Sequence, residues 1–216
     1  MATFPVKYLH SAMQGAPTLS GTAGSLISVL DACLINGFNV LAPVSITVAA
    51  GEATVDYGTV HGYAAHDIIK VAGATPAELN GEQRITSVTS TALTFATTAI
   101  DGAATGTLET RTAPQGSWEK TYSGTNKAVY RSTDLTSTGL YLRIDDSTTT
   151  YATATMYETM TDVDTGTGAS TIRYWKKSNA ADANARKWRF MGDSKLMYLA
   201  NFWHSGYLTQ SGMNTF

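Results

Sequence analysis

Short runs of alternating apolar and polar residues, each ended by a turn signal, recur along this chain and limit what it can fold into. Between residues 43 and 110 the runs are PVSITVAAG, EATVDYG, DIIKVAGA, QRITSVTS, TALTFATT and GTLETRT. Period-two alternation over four to eight residues predicts β-strands. Gly73 and the pair Asn80 and Gly81 supply turn chemistry between them. We therefore predict a small β-module over residues 43–113.

A second β region follows Pro114. Its strand candidates are GSWEKTYSG, KAVYRST, GLYLRIDDS, ATATMYETM, IRYWKKS, KWRFMGD and KLMYLANFW. The alternation across residues 141–145 predicts a half-buried antiparallel sheet, in a sandwich or an open barrel. Pro114 and Gly116 mark the domain boundary, so the second β domain spans 114–216. Either its last strand is buried against a partner, or the sequence is part of a longer polypeptide.

One helix is predicted, over residues 25–36. Ser25 is the candidate N-cap and Gly37 the C-terminal stop. We expect Cys33 to be a small core residue and not a reactive thiol. With the Gly-rich segment before it, the helix gives residues 1–42 the form of an N-terminal arm and a short helix. The apolar residues at helical spacing are Leu26, Val29, Leu30, Cys33 and Leu34.

The composition agrees with a mainly β fold and excludes several functions. The chain has 34 Thr, 19 Gly and 11 Tyr, a combination that favours strands and tight turns. A net charge of -2 with 15% charged residues provides no field to attract nucleic acid or an anionic membrane. No segment reaches the roughly 18 to 20 apolar residues of a membrane span. A single cysteine and the absence of a signal-like start predict synthesis in a reducing cytoplasm.

The sequence GDSKL, at residues 192–196, resembles the nucleophile block of one serine-esterase family. In that family the serine requires a late Asp and His. Here only His204 follows Ser194, without an Asp-x-x-His pattern. A turn between the strands KWRFM and KLMYL explains the same residues. We therefore predict no catalytic residue and no enzymatic activity.

Acidic pairs are the first candidates for a metal site. Asp145 with Asp146, and Asp162 with Asp164, could supply oxygen ligands to a hard cation. The loop DVDTGTG lacks the closing Glu of a calcium-binding loop. We expect these four residues to be solvated loop carboxylates.

Histidines and nucleotide-binding motifs give no stronger signal. His10, His61, His66 and His204 have no metal-like spacing, so we expect surface or turn histidines. The sequence contains no GxxxxGK[ST], no GxGxxG after a strand and no HExxH. We predict neither a metal nor a cofactor.

Basic and aromatic residues cluster between residues 173 and 189. They could form a stacking or interface surface, or they could be two strands with apolar residues inward and cations outward, joined by the loop SNAADANA. The second interpretation is favoured. If the first holds, a protein interface ranks above nucleic acid. The candidate interface or stacking residues are Trp175, Trp188, Trp203, Arg173 and Arg189.

Longer segments carry a resemblance to a known family. They are VKYLHSAMQGAPTLSGTAGSLISVLDACLINGF, HDIIKVAGATPAELNGEQRITSV, SGTNKAVYRS, LYLRIDD, YETMTDVDTGTG and YWKKSNAADANARKWRFMGDSKLMYL. They resemble a family of bacteriophage virion structural proteins of the tail and baseplate type. The segment AAHDIIKVAGATPAELNGEQRITSVTSTALTFAT is similar to small β-modules that recur in phage tail and baseplate proteins. The resemblance implies no activity and no functional residues.

From this resemblance we expect a virion protein made in the host bacterial cytoplasm. The main hypothesis is a tail-tip or baseplate subunit that forms a homo-oligomer in a symmetric assembly and docks to other phage virion proteins. Two alternatives stay open. One is a capsid decoration protein, and the other is a carbohydrate-binding receptor module for a host-surface glycan.

Overall fold

The computed structural model describes residues 4–203 and the backbone of Gly212–Thr215. The fold is mainly β, with 46% strand, 8% helix and open antiparallel sheets, which confirms the predicted class. The helical segments are α1 (Ser25–Asp31), its π-helical continuation (Ala32–Asn36) and a 3₁₀ turn (Ala77–Leu79). The strands in chain order are β1 (Lys7–His10), β2 (Phe38–Leu41), β3 (Ser45–Ala49), β4 (Glu52–Asp56), β5 (Ile68–Ala72), β6 (Gly81–Val88), β7 (Ala92–Ala96), β8 (Gly102–Ala103), β9 (Glu109–Thr112), β10 (Trp118–Gly124), β11 (Lys127–Ser132), β12 (Tyr141–Asp145), β13 (Tyr151–Tyr157), β14 (Thr159–Met160), β15 (Gly166–Thr167), β16 (Arg173–Lys176), β17 (Lys187–Gly192), β18 (Met197–Phe202) and β19 (Gly212–Thr215).

The chain divides into two compact units, which we call the module and the body. The division between Ala113 and Pro114 falls where the sequence predicts a domain boundary. Residues 37–42, assigned from sequence to the N-terminal segment, belong to the module because β2 pairs with β9. The module comprises Phe4, Met13–Gly15 and Gly37–Ala113, and the body comprises Pro5–Ala12, Ala16–Asn36 and the chain from Pro114 onward.

The module is one eight-stranded antiparallel sheet in the order β2-β9-β5-β6-β7-β4-β3-β8. Alternate side chains of each strand point to the same face, so the period-two pattern of the sequence supplies the core. Fully buried members from four different strands are Ile46, Val55, Ile69 and Phe95. At roughly 25 cal/mol per Å² of buried apolar surface, such residues provide the main stabilising term.

The body contains a five-stranded sheet in the order β10-β11-β12-β13-β16 and a second sheet in the order β1-β17-β18-β19, both antiparallel. The short hairpin β14-β15 stands apart from them in pairing. The N-terminal segment, predicted as an arm, enters the second sheet as an edge strand, with Leu9 opposite Phe190. Lys7 and Leu9 of this strand are buried while Tyr8 is exposed, which is the alternation expected of a strand.

The predicted helix over residues 25–36 is confirmed, and its C-terminal stop lies at Gly37 with φ +70°. The prediction of Ser25 as N-cap is wrong. Gly24 takes that position at φ +81°, and a side chain there would collide with the Asn126 amide oxygen, 2.6 Å from the Cβ position. Cys33 is fully buried as expected, and burial raises the pKa of its thiol well above the ordinary value.

Candidate functional site

One face of the body's second sheet exposes a row of large side chains across neighbouring strands. Tyr8 lies opposite Met191, and Met191 lies opposite Tyr198. Their exposed fractions are 51%, 46% and 37%. The adjacent row on the reverse face, Leu9, Phe190 and Leu199, is buried. The strand alternation therefore presents aromatic and thioether groups to solvent on one side and a core on the other.

A second exposed row is basic and aromatic. His10 lies opposite Arg189, and the Arg189 guanidinium carbon is 5.4 Å from the centroid of the Phe202 ring. The ring centroids of Tyr8 and His10 are 5.5 Å apart. A guanidinium at this distance from a ring makes a cation–π contact, which holds the long side chain over the sheet. The geometry pre-arranges a positive charge beside two ring systems.

Tyr8 of the first row and the residues of the second row border a groove with a volume of about 520 Å³. We call it the basic groove, and its characteristic residues are Tyr8, His10, Arg186, Lys187, Arg189 and Phe202. Within the part of the chain that the structure describes, no Asp or Glu is among the residues that line it. The exposed cations Lys187 and Arg189 favour an anionic partner.

Arg186 is the one buried cation of the groove. Its guanidinium donates to the Asp182 carboxylate at 2.9 Å and to the Asn179 side-chain oxygen at 2.9 Å. The Nε atom is buried and has no hydrogen-bond partner within the part of the chain that the structure describes. A buried donor without an acceptor carries an energetic cost.

Two of the three candidate stacking tryptophans are inaccessible to a ligand, although Trp188 borders the basic groove. Trp175 and Trp188 are buried, and the Trp188 indole nitrogen donates to the Pro17 carbonyl at 3.0 Å. Burial removes both rings as platforms for a ligand. Trp203 is half-buried, with the Lys176 ammonium 5.1 Å from its ring centroid.

The two predicted arginines are both exposed, but only Arg189 belongs to the basic groove; Arg173 lies on β16 of the other sheet. Sequence reasoning missed Tyr8 and His10 because they lie about 180 residues from their partners on β17. The signal that could have found them is the alternation in VKYLH, which is typical of a strand.

A buried ion pair lies in the body, where the sequence predicts a solvated carboxylate. Asp146 and Lys177 contact each other, and neither side chain has any exposed surface. Lys177 also donates to the Thr22 carbonyl at 2.6 Å. The other Asp146 oxygen accepts from the backbone nitrogens of Leu26 and Ile27 at 2.8 and 3.4 Å. The prediction for Asp146 is therefore wrong, because the first turn of α1 and a buried ammonium both require an acceptor there.

Burial raises the pKa of the Asp146 carboxyl, while the Lys177 ammonium and the two backbone N–H groups oppose that rise. All the groups that contact this carboxylate belong to the fold. The pair therefore holds the first turn of α1 in place.

Asp162 and Asp164 are exposed loop carboxylates, as predicted. The prediction is wrong for Asp145, which ends β12, is half-buried and lies 3.3 Å from the Arg143 guanidinium. Asp164 is exposed and accepts from Lys127 at 2.8 Å and from Arg143 at 2.6 Å, which lowers its pKa. Asp162 is exposed and accepts from the backbone nitrogens of Asp164 and Thr165, which lowers its pKa as well. No group of three His, Cys, Asp or Glu side chains within the described ranges is arranged to hold a metal.

The GDSKL segment is a turn, as predicted. Gly192 pairs with Met197, and the Asp193 nitrogen donates to the Leu196 carbonyl at 2.8 Å. The Ser194 hydroxyl donates to the Asp134 carboxylate at 2.6 Å, and this bond lowers the pKa of Asp134 to about 2. A carboxylate of that acidity is a poor base for a hydroxyl. His204, the other candidate, lies outside the described residues.

The module's histidines divide between core and turn. His61 is buried, so its predicted place at the surface is wrong. Its Nδ1 accepts from the Tyr63 nitrogen at 3.1 Å, and its Nε2 donates to the carbonyls of Thr89 and Ala92 at 3.1 and 3.2 Å. His66 occupies an exposed turn with φ +73°, as expected.

Comparison of this chain with protein-family models, with curated proteins and with solved structures found no match. Among the described residues, no helix is both long enough and apolar enough to cross a membrane.

Proposed function

We propose that this chain is a structural subunit of a bacteriophage tail tip or baseplate, which works by docking to copies of itself and to other virion proteins. The observation that carries the proposal is the exposed row Tyr8, Met191 and Tyr198 beside the basic groove. Tyr, Met and Arg are enriched in the cores of protein interfaces relative to other surfaces.

The sheet that carries this row also has an edge suited to docking. β1 is its first strand and is four residues long. An edge strand has backbone groups available for pairing with another chain, and a short edge limits uncontrolled association. Together the face and the edge favour a partner of protein size over a small ligand.

The side chains that could act as a nucleophile, an acid or a base make hydrogen bonds within the fold instead. Ser194 holds a turn to Asp134, Asp146 caps α1, and His61 bonds two backbone carbonyls. The proposed subunit is therefore non-enzymatic. The burial of Trp175 and Trp188 counts against a carbohydrate-binding module built on tryptophan platforms.

The resemblance of the sequence segments to phage virion proteins supports the proposed origin. The predicted small β-module agrees with an independent compact unit that ends at Ala113. Repeated use of antiparallel sheets with exposed faces suits a protein that is held by neighbours in an assembly.

The test is the copy number of the protein in purified particles of the phage that encodes it, measured by quantitative mass spectrometry against the major capsid and tail-tube proteins. A ring-like number of about 3 to 12 copies, as expected from closed symmetry, would support the proposal. Hundreds of copies would instead indicate a capsid decoration protein. Absence from the particle would overturn the structural role.

A further inference from the structure

The two units of the chain carry net charges of opposite sign. The module has three Lys or Arg against seven Asp or Glu, whereas the body has 12 against 10. The three basic residues of the module, Lys70, Arg84 and Arg111, lie on β5, β6 and β9. All other charged residues of the module are acidic. The module of one copy therefore offers negative charge to the basic groove of another copy.

One end of the module combines negative charge with an exposed apolar group. The Asp101 carboxylate accepts from the Ala50 nitrogen at 3.0 Å, in the turn between β3 and β4. Glu52 begins β4 and is exposed, and Ile100 is 79% exposed. We call Glu52, Ile100 and Asp101 the acidic tip. An exposed isoleucine next to a carboxylate in the chain is a group that a groove with rings and cations can accommodate.

We propose that the acidic tip of one copy docks into the basic groove of a second copy. Ile100 packs against the rings of Tyr8 and Phe202, and the carboxylates face Lys187 and Arg189. This inference rests on the proposed function and names the partner of its docking surface. Because tip and groove are different surfaces, the contact is heterologous, and repetition generates a ring when the rotation closes.

The groove also has features that an acidic polysaccharide would use, since rings and cations bind charged sugars. Two observations favour the second copy. Tyr8 of the groove also lies in the exposed row with Met191 and Tyr198, which a sugar would leave uncovered, and the chain itself carries a matching acidic tip.

The experiment measures the mass of the purified full chain by sedimentation equilibrium. The unchanged chain is expected to self-associate with increasing concentration. Arg189→Glu in the groove and Glu52→Arg in the tip should each weaken association at least about tenfold, because each places like charges in contact. Asp101 is left unchanged because it holds the Ala50 turn. Lys195→Glu, an exposed change outside the groove, is the matched control and should associate like the unchanged chain.

A mixing experiment distinguishes this contact from non-specific association. In an equal mixture of the Arg189→Glu chain and the Glu52→Arg chain, the intact tip meets the intact groove and the two substituted positions carry opposite charges. The mixture should therefore regain the association that each chain alone loses. A chain with both substitutions reverses the charge pair and should regain association. Ile100→Ser should weaken association without any change of charge.

Several results would overturn the inference. One is a chain that stays monomeric up to roughly 100 μM, a concentration far above that needed for a specific contact. Another is self-association that Arg189→Glu leaves unchanged. A monomeric chain that binds polygalacturonate through Arg189 would assign the groove to acidic polysaccharide instead. If the chain stays monomeric but virions contain a ring-like number of copies, this inference alone is overturned. If the chain self-associates but is absent from virions, the proposed function alone is overturned.

Discussion

The module and the body are both antiparallel, yet they stabilise their interiors by different means. Among the described residues of the module, no Asp, Glu, Lys or Arg is buried; the Tyr57 hydroxyl lies 2.9 Å from the Thr110 hydroxyl, and backbone groups hold His61. The body buries an ion pair between Asp146 and Lys177. The difference lies in α1, because its first-turn N–H groups need an acceptor that a strand, paired with its neighbours, does not need.

The largest expected effect tests the body. Lys177→Met leaves the Asp146 carboxylate buried without its ammonium, and we expect a loss of about 3–5 kcal/mol in the free energy of unfolding. All four tryptophans lie in the body, so tryptophan fluorescence in a urea titration reports on it. Replacing both members, with Asp146→Leu added, should recover part of the loss.

Lys195→Met is the matched control for that experiment, since Lys195 is exposed, and it should change the midpoint little. Hydrogen exchange of the module's strand amides should change less than that of the body. A fall in protection of equal size in both units would remove the distinction between them.

The second prediction tests the module through its apolar core. Ile46→Ala removes a fully buried side chain from β3 and should cost about 2–4 kcal/mol, because the cavity closes only in part. Hydrogen exchange of β3 and β4 is the measurement. Thr47→Ala, at the neighbouring exposed position, should have little effect. Equal losses from both changes would contradict the assignment of the faces.

A smaller effect is expected from the module's neutral polar network. Tyr57→Phe removes the hydroxyl that contacts Thr110 and should cost about 1 kcal/mol. Burial raises the pKa of Tyr57 to about 12, so the folded state holds this proton more tightly than the unfolded chain. The associated stability is present below about pH 10 and is lost as pH rises towards 12. Phenolate absorbance during an alkaline titration measures it, and normal titration near pH 10 would contradict the burial.

The smallest effect lies on the body's surface. The pKa of Asp134 is lowered to about 2 by its bonds with Ser194 and Thr136, so its contribution is present above about pH 4 and is lost as pH falls towards 2. Ser194→Ala should move the pKa of Asp134 back towards its ordinary value of 3.8. Carbon NMR of the carboxyl measures the change. An Asp134 pKa that the substitution leaves unchanged would contradict the bond.

The sequence predicts local structure well in both units. The strands around the turn of Asn80 and Gly81, the helix over 25–36 and the turn at Ser194 follow from spacing and turn chemistry, which act within a few residues. The cap of Leu26 by Asp146 spans 120 residues, and the pairing of Tyr8 with Met191 spans more. Such contacts leave no local pattern, because the same carboxylate or tyrosine would suit an exposed position equally well.

The body's chain is interrupted by the module, and its two flanks meet. The Gln115 nitrogen donates to the Cys33 carbonyl at 2.6 Å, and the Gly116 nitrogen donates to the Leu34 carbonyl at 3.3 Å. During synthesis, the strands of the module between residues 37 and 113 are complete before β17 is made. Since β1 pairs with β17, β1 has no partner until then. We therefore expect the inserted unit to fold on the ribosome before the body does.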